Sequence, residues 1–191
     1  MSGVVRVGAA LARYVGVLSV VCVAFAASQA LAAPTSIALM DCVLIDDNAA
    51  YNDAETNRIQ QARLQMVSTA LREQLRDSRR YDVVDNGPAA SLIAQLGASQ
   101  DLNACAGCAR QVGRKLGVKQ VGSCWVQKVS NLILNINLHV EDVASGETVF
   151  QRSVDIRGNT DLSWRRGATA LVGLMVGGAA AGSPGSGAAA Q

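Results

Sequence analysis

"SIALMDCVLI", Ser36 to Ile45, is an almost unbroken apolar run interrupted by the single charge of Asp41. A short run with no polar alternation is the pattern of a strand buried on both faces, and such strands belong to sheets covered by helices on either side. This reading sets the fold class as α/β, with the stretch as the central strand. "DDNAAYND", Asp46 to Asp53, follows as a loop. It closes on Asn52 with Glu55 three residues later, the arrangement of a capping box. A helix is then predicted to about Asp77. Ile59, Ala62, Met66, Ala70 and Leu64, Val67, Leu71, Leu75 form its apolar flank. Arg58, Arg63, Arg72, Glu73 and Arg76 fall mainly on the wetter side. "RDSRR", Arg76 to Arg80, reads as the solvated helix end, where cations complement the dipole.

Further along, "YDVVD", Tyr81 to Asp85, is a second short strand stopped by Asn86, Gly87 and Pro88. Ala89 to Gly97 makes a short helix closed by glycine, and a further helix spans roughly Ala104 to Leu116 with Gly117 as its stop. Val118 to Ser130 returns as a strand. In Asn131 to Gly158, Leu132, Leu134, Ile136, Leu138 and Val140 alternate with Ile133, Asn135, Asn137, His139 and Glu141. That alternation places one face on a core and the other in water. A turn at Ala144 to Glu147 makes the pair an antiparallel hairpin. A last helix starts at Thr160 or Asp161, with Leu162, Arg165, Thr169 and Val172 marking successive turns. Helices alternate with strands at the front and strands meander at the back. The expected architecture is therefore a mixed β-sheet covered by helices, parallel early, with an antiparallel hairpin toward the C-terminal end.

The ends read differently. Arg6 and Arg13, the apolar run Tyr14 to Ala27 and "ALA" at Ala30 to Ala32 have the form of a secretory signal peptide over residues 1–32. A single domain is expected over 33–176, and residues 177–191, rich in Gly, Ala and Ser, have too little bulk to offset their ordering entropy and are expected to be disordered. Cleavage removes two of the 17 basic residues and no acidic one, leaving 15 of each sign. A chain without net charge lacks the basic footprint of a nucleic-acid binder, and no later segment is expected to span a membrane.

Cys42, Cys105, Cys108 and Cys124 remain after cleavage. An even number in an exported chain favours disulfides. One close pair, two singles and one histidine do not make the paired spacing of a zinc site, so no metal and no cofactor are expected. Cys105 and Cys108 read as a local staple worth about 2 kcal/mol on the entropic model. The competing reading is a redox pair, in which a helix N-terminus lowers the pKa of Cys105. Cys42 and Cys124 are expected as reduced core residues; bonded, they would close a long loop worth about 4.5 kcal/mol. His139 reads as a solvated strand residue. Asn131, Asn135, Asn137 and His139 form a polar ladder on which a partner could dock. Asp41, Asp46 and Asp47 bracket the end of the first strand, where ligands gather in open α/β sheets. Trp125 and Trp164 read as core or interface anchors.

"ARQVGRKLGVKQVGSCWVQKVSNLILNINLHVEDVASGETV" combines a helix ending in Leu-Gly, a strand with Gly-x-x-x-Val and an alternating strand closing on Asp-Val-x-Ser-Gly. This resembles the N-terminal domain of TolB and the CsgG-like envelope domains. "VQKVSNLILNINLHVEDVASGE" with "SVDIRGNTDLSWRRG" resembles, more narrowly, a proteobacterial family of exported proteins of unknown function, over most of Ser36 to Val172. The resemblance implies a TolB N-terminal-like fold and protein interaction in the cell envelope, and it brings no catalytic residues. The expected function is a non-enzymatic periplasmic interaction or accessory module acting on an envelope protein. The alternatives are a thiol-disulfide redox protein using Cys105 and Cys108, and a small-ligand-binding protein.

Overall fold

The computed structural model describes residues 33–99, 102, 105 and 107–181. The expected leader, residues 1–32, and residues 182–191 of the expected tail lie outside the described residues. Six strands, β1 (Thr35–Leu39), β2 (Val43–Asp46), β3 (Tyr81–Val83), β4 (Gln120–Lys128), β5 (Ile133–Asp142) and β6 (Thr148–Arg157), form one sheet. Its order is β3-β1-β4-β5-β6, with β2 also bonded to β4. The β1, β2, β3 and β4 pairings are parallel, and β5 and β6 add antiparallel. The helices are α1 (Ala54–Asp77), α2 (Ala90–Ser99), α3 (Cys108–Leu116) and α4 (Asp161–Ala181). Among the described residues no helix is long and apolar enough to cross a membrane. The mixed α/β sheet with a late antiparallel hairpin is thus present as expected.

The opening run departs from its reading. It is two strands, and the centre of the sheet is β4, which bonds β1 and β2 on one edge and β5 on the other. Ile37 to Leu39 pair with Gln120 to Gly122, whereas Val43 to Asp46 pair with Trp125 to Lys128. Met40, Asp41 and Cys42 therefore oppose only Ser123 and Cys124. One extra residue shifts the register and reverses which face each side chain takes. Ile37 and Leu39 face one core, Ala38 and Met40 the other; beyond the bulge Cys42 joins Ile37 and Leu39. Cys42 and Cys124 are bonded across this bulge with their Cα atoms 4.4 Å apart, which corrects the expectation of reduced core residues. Adjacent strands at a bulge bring the two Cβ atoms within disulfide reach, and nothing in the spacing of the cysteines announces this.

α1 and α4 cover one face of the sheet. Leu64, Val67, Leu71 and Leu75 of α1 are buried, as expected, with Trp164, Ala168, Leu171 and Met175 of α4. The α4 stripe is not the one marked by Leu162, Arg165 and Thr169, which are exposed. Trp164 takes the core position two residues on. Gly167 lets α4 approach closely, since a Cβ there would lie 2.6 Å from Ile156 Cγ2. Thr160 and Ser163 cap α4 reciprocally: Ser163 N donates to Thr160 Oγ1 at 3.2 Å and Thr160 N to Ser163 Oγ at 3.1 Å. α4 continues to Ala181, so residues 177–181, assigned by composition to the tail, are helical. The cap of α1 is Asp53, not Asn52: its side chain accepts from Thr56 N at 2.6 Å.

α3 covers the opposite face only over Ala38, Met40, Val121 and Val143. Gly113 permits that contact, because a Cβ would come within 2.5 Å of Val143 Cγ2. α3 begins at Cys108, with Gly107 in the left-handed region before it, so Cys105 precedes the helix instead of opening it. α2 passes through Gly97 to Ser99 and is not stopped by it. On β5, Leu134, Ile136, Leu138 and Val140 are fully buried, while Leu132 lies before the strand and is exposed.

Replacing Cys42 and Cys124 together by alanine is expected to lower stability by about 4 kcal/mol, mainly through the freed unfolded chain. Urea unfolding of the oxidised protein and the double variant measures this; equal midpoints would show that the bond contributes nothing.

Candidate functional site at one end of the sheet

The C-terminal ends of β2, β4 and β6 lie with the start of β5 and the N-termini of α1 and α4 at one end of the molecule. Asp46 and Lys128 are register partners in β2 and β4 and point to the same face. Their side chains are 2% and 5% exposed and meet at 2.8 Å. Asp46 Oδ2 also accepts from Asn52 Nδ2 at 2.8 Å, and Oδ1 from Asn48 N at 3.0 Å. Burial raises the Asp46 pKa, but the bonds from Lys128, Asn52 and Asn48 outweigh it and hold the carboxyl below its ordinary range. Asp46 is therefore a latch closing the loop to α1. Asp41 is elsewhere, exposed at the bulge and paired with Arg72 at 2.6 Å, and Asp47 is exposed in the turn. The three aspartates do not form one ligand loop.

Around this latch, exposed apolar side chains stand among polar ones such as Asp47, Asn48 and Asn131. Of the eight exposed large hydrophobic residues described, six are here: Ile45, Tyr51, Val129, Leu132, Ile133 and Leu162. Tyr51 is 89% exposed and Leu132 74%. Backbone bonding fixes this tip. Ser130 Oγ accepts from Leu132 N at 3.2 Å and Ile133 N at 3.1 Å, and Gly158 N donates to Leu132 O at 3.2 Å. A tight turn whose polar groups are already satisfied leaves its apolar side chains nowhere to go but outward. The sequence reading missed this cluster because it is assembled from four segments. The apolar residues of "VSNLI" at a turn were its one available signal.

The ladder proposed from the hairpin divides in two. Asn135, Asn137 and His139 share the face that α3 leaves uncovered, beside the half-buried Trp125. Asn137 Nδ2 donates to Asn135 Oδ1 at 2.6 Å, and His139 Nε2 meets Thr148 Oγ1 at 2.9 Å. Asn131 instead belongs to the β4–β5 turn, where its Oδ1 accepts from Asn159 Nδ2 at 3.2 Å. Cys105 and Cys108 are bonded, Cα atoms 5.5 Å apart. Cys108 opens α3 and is fully buried, while Cys105 is partly exposed. An external thiolate reaches the pair at Cys105, yet the helix dipole acts on Cys108, the reverse of the expected redox arrangement. Among the described residues no group of three or more His, Cys, Asp or Glu is placed to hold a metal ion.

Asp46→Asn is expected to cost about 3 kcal/mol near neutral pH by leaving Lys128 buried without its counter-charge. A carboxyl held below its ordinary pKa of 3.8 contributes stability that is complete above that value and lost as pH falls through the folded value. The deficit of the variant should therefore shrink in acid. Denaturant unfolding at neutral pH and at about pH 2.5 tests this; a deficit independent of pH would show that the charge of Asp46 is not what stabilises the fold.

Solved structures with a similar fold come from bacterial proteins. The C-terminal domain of LpoB from Salmonella enterica matches with a TM-score of 0.45 and 14% identity, over 68% of this chain and 87% of that one. The hypothetical protein CT253 from Chlamydia trachomatis matches with a TM-score of 0.49 and 11% identity, over 76% and 97%. TolB from Acinetobacter baumannii, the protein resembled by the sequence, matches with a TM-score of 0.43 and 11% identity, over 76% of this chain and 29% of that one. At such identities the likeness concerns the fold alone. No curated protein matches the sequence. The model of the DUF3280 family, described as "Protein of unknown function (DUF2380)", matches residues 35–174, most of the chain, and the protein belongs to that family.

Proposed function

We propose that this protein is a non-enzymatic interaction module of the cell envelope, exported by the leader at residues 1–32, that docks a partner protein on the apolar end of its sheet. The supporting observation is the concentration of Ile45, Tyr51, Val129, Leu132, Ile133 and Leu162 at that end, six of the eight exposed large hydrophobic residues described. Contiguous exposed apolar side chains on an otherwise well-formed domain mark interaction surfaces. Tyr51 supplies a large amphipathic anchor of the kind enriched at binding hot spots. Leu132, 74% exposed, stands to gain about 1–2 kcal/mol on full burial, and Ile133, 48% exposed, about 1 kcal/mol. The turn holding them is already ordered, so little conformational entropy is lost on docking. The polar face of Asn135, Asn137 and Trp125 is the second candidate surface for such a partner.

Crosslinking in the native envelope followed by mass spectrometry separates these surfaces. Leu132→Asp with Tyr51→Ser is expected to reduce partner capture about tenfold or more, as loss of one or two anchors does. Asn135→Arg with Asn137→Arg should leave capture intact. The opposite pattern moves the interface to the open sheet face, and undiminished capture by both variants removes the docking reading. Light scattering of the purified protein identifies the case in which the captured partner is a second copy.

A further inference from the structure

We propose that the open face of the sheet holds a saccharide-binding site at Trp125, and that its ligand is a pyranose carrying a carboxylate, a hexuronic acid. Trp125 on β4, Asn137 on β5 and Ser153 on β6 are successive register partners, so their side chains stand in one row on one face. That face is the one α3 leaves bare beyond Val121 and Val143. With Gln151 and Arg152 the row borders a cavity of about 430 Å³, within the range of small-molecule sites.

Trp125 carries the inference. The other tryptophan, Trp164, is fully buried and its Nε1 donates to Asn159 Oδ1 at 2.9 Å, as a core residue should. Trp125 is partly exposed, on a strand whose opposite side already supplies Cys124 and Val126 to the core. Its Nε1 has no partner among the described residues and is not sealed from solvent. A large ring left partly bare in the middle of a polar face gains from an apolar surface laid on it.

The groups around the ring select what lies on it. Asn137 Nδ2 donates to Asn135 Oδ1 at 2.6 Å and to Trp125 O at 3.4 Å, which fixes the amide and leaves its Oδ1 open to solvent as an acceptor. The side chains of Gln151 and Ser153 are exposed and make no hydrogen bond among the described residues. An aromatic platform ringed by amides and a hydroxyl matches a pyranose. Its axial C–H groups lie on the electron-rich ring face, and its equatorial hydroxyls point outward to the surrounding donors and acceptors. A flat aromatic ligand would cover the indole and leave those groups unanswered.

Arg152 supplies the charge. It borders both this cavity and the one on the other side of β6, so it stands at the sheet edge. Its Nη1 donates to Gln151 O at 2.8 Å, and among the described residues no carboxylate is paired with it. Asp155, on the same face as Ser153, is in register with Asn135 and does not line the cavity. A guanidinium with no counter-charge and with Nε and Nη2 still to donate favours a ligand carboxylate, which it holds through two parallel bonds. This site shares no residue with the apolar tip and does not rest on the docking reading.

The test titrates methyl β-glucuronide, methyl β-glucoside, acetate and benzoate separately into the isotopically labelled protein. NMR follows the Trp125 indole N–H and the Asn137 side-chain NH₂ signals. A saturable shift of both is expected with the glucuronide, with affinity about tenfold weaker for the glucoside and no saturable shift with acetate or benzoate. Trp125→Ala and Arg152→Gln should each weaken glucuronide binding about tenfold or more, read on Asn137. Ser153→Tyr, at an exposed strand position suited to a large side chain, should block the cavity without touching the core. It gives the same comparison if Trp125→Ala does not fold. Absence of a saturable shift with the glucuronide overturns the proposal, as does an equal response to acetate or benzoate, or binding unchanged in Trp125→Ala or Ser153→Tyr. Equal affinity for the glucoside, or binding unchanged in Arg152→Gln, overturns the assignment of a carboxylate.

Discussion

The bulge at Met40 to Cys42 is the constraint on which the rest of this structure depends. An extra residue in a strand leaves backbone groups without ladder partners inside a covered sheet, where each must be satisfied. α1 supplies most of what is needed. Cys42 N donates to Ser68 Oγ at 2.8 Å, and the Leu39 carbonyl accepts from Arg72 Nη2 at 2.7 Å, Arg72 Nε at 3.1 Å and Asn86 Nδ2 at 2.7 Å. Buried Ser68 and partly buried Arg72 thus interrupt an otherwise apolar helix face for a specific reason. Arg72 is only partly on the wet side; it spans from α1 to the end of β1.

The parity change made by the bulge has four results. It places Cys42 against Cys124, turns Leu44 toward the α1 core, and sets Asp46 over Lys128 at the end of the same face. It also turns Val43 and Ile45 to the other side of the sheet, where α3 does not reach. A continuous strand would have pointed the carboxyl of Asp46 to that other side and left the Lys128 ammonium buried alone. The covalent bond and the ion pair thus secure one consequence of a single inserted residue, at the middle and at the end of the strand.

The helices explain why exposed apolar side chains are concentrated at one end. Gly113 and Gly167 bring α3 and α4 against opposite faces, and α1 and α4 leave little of the first face open. Loops at the far end are then the places where side chains can project without losing core contacts. The polar cluster of Arg63, Asp161, Asn159 and Trp164 ties the α4 entry to α1 and holds the β4–β5 turn beside it. The apolar tip stands beside this hydrogen-bonded base.

Periodicity by itself determined the mixed sheet, the α1 flank of Leu64 to Leu75 and the buried face of β5, because burial imposes period two on strands and period 3.6 on helices. The motif around "VASGE" with "SWRRG" was enough to place the chain in its family. Only the tertiary structure decided the bulge, the Cys42–Cys124 bond, the pairing of Asp46 with Lys128 and the assembly of the tip. Each of these joins residues distant along the chain, and a short apolar run looks the same whether its strand is continuous or broken. A side chain's partner depends on register and packing, and local composition carries no record of either.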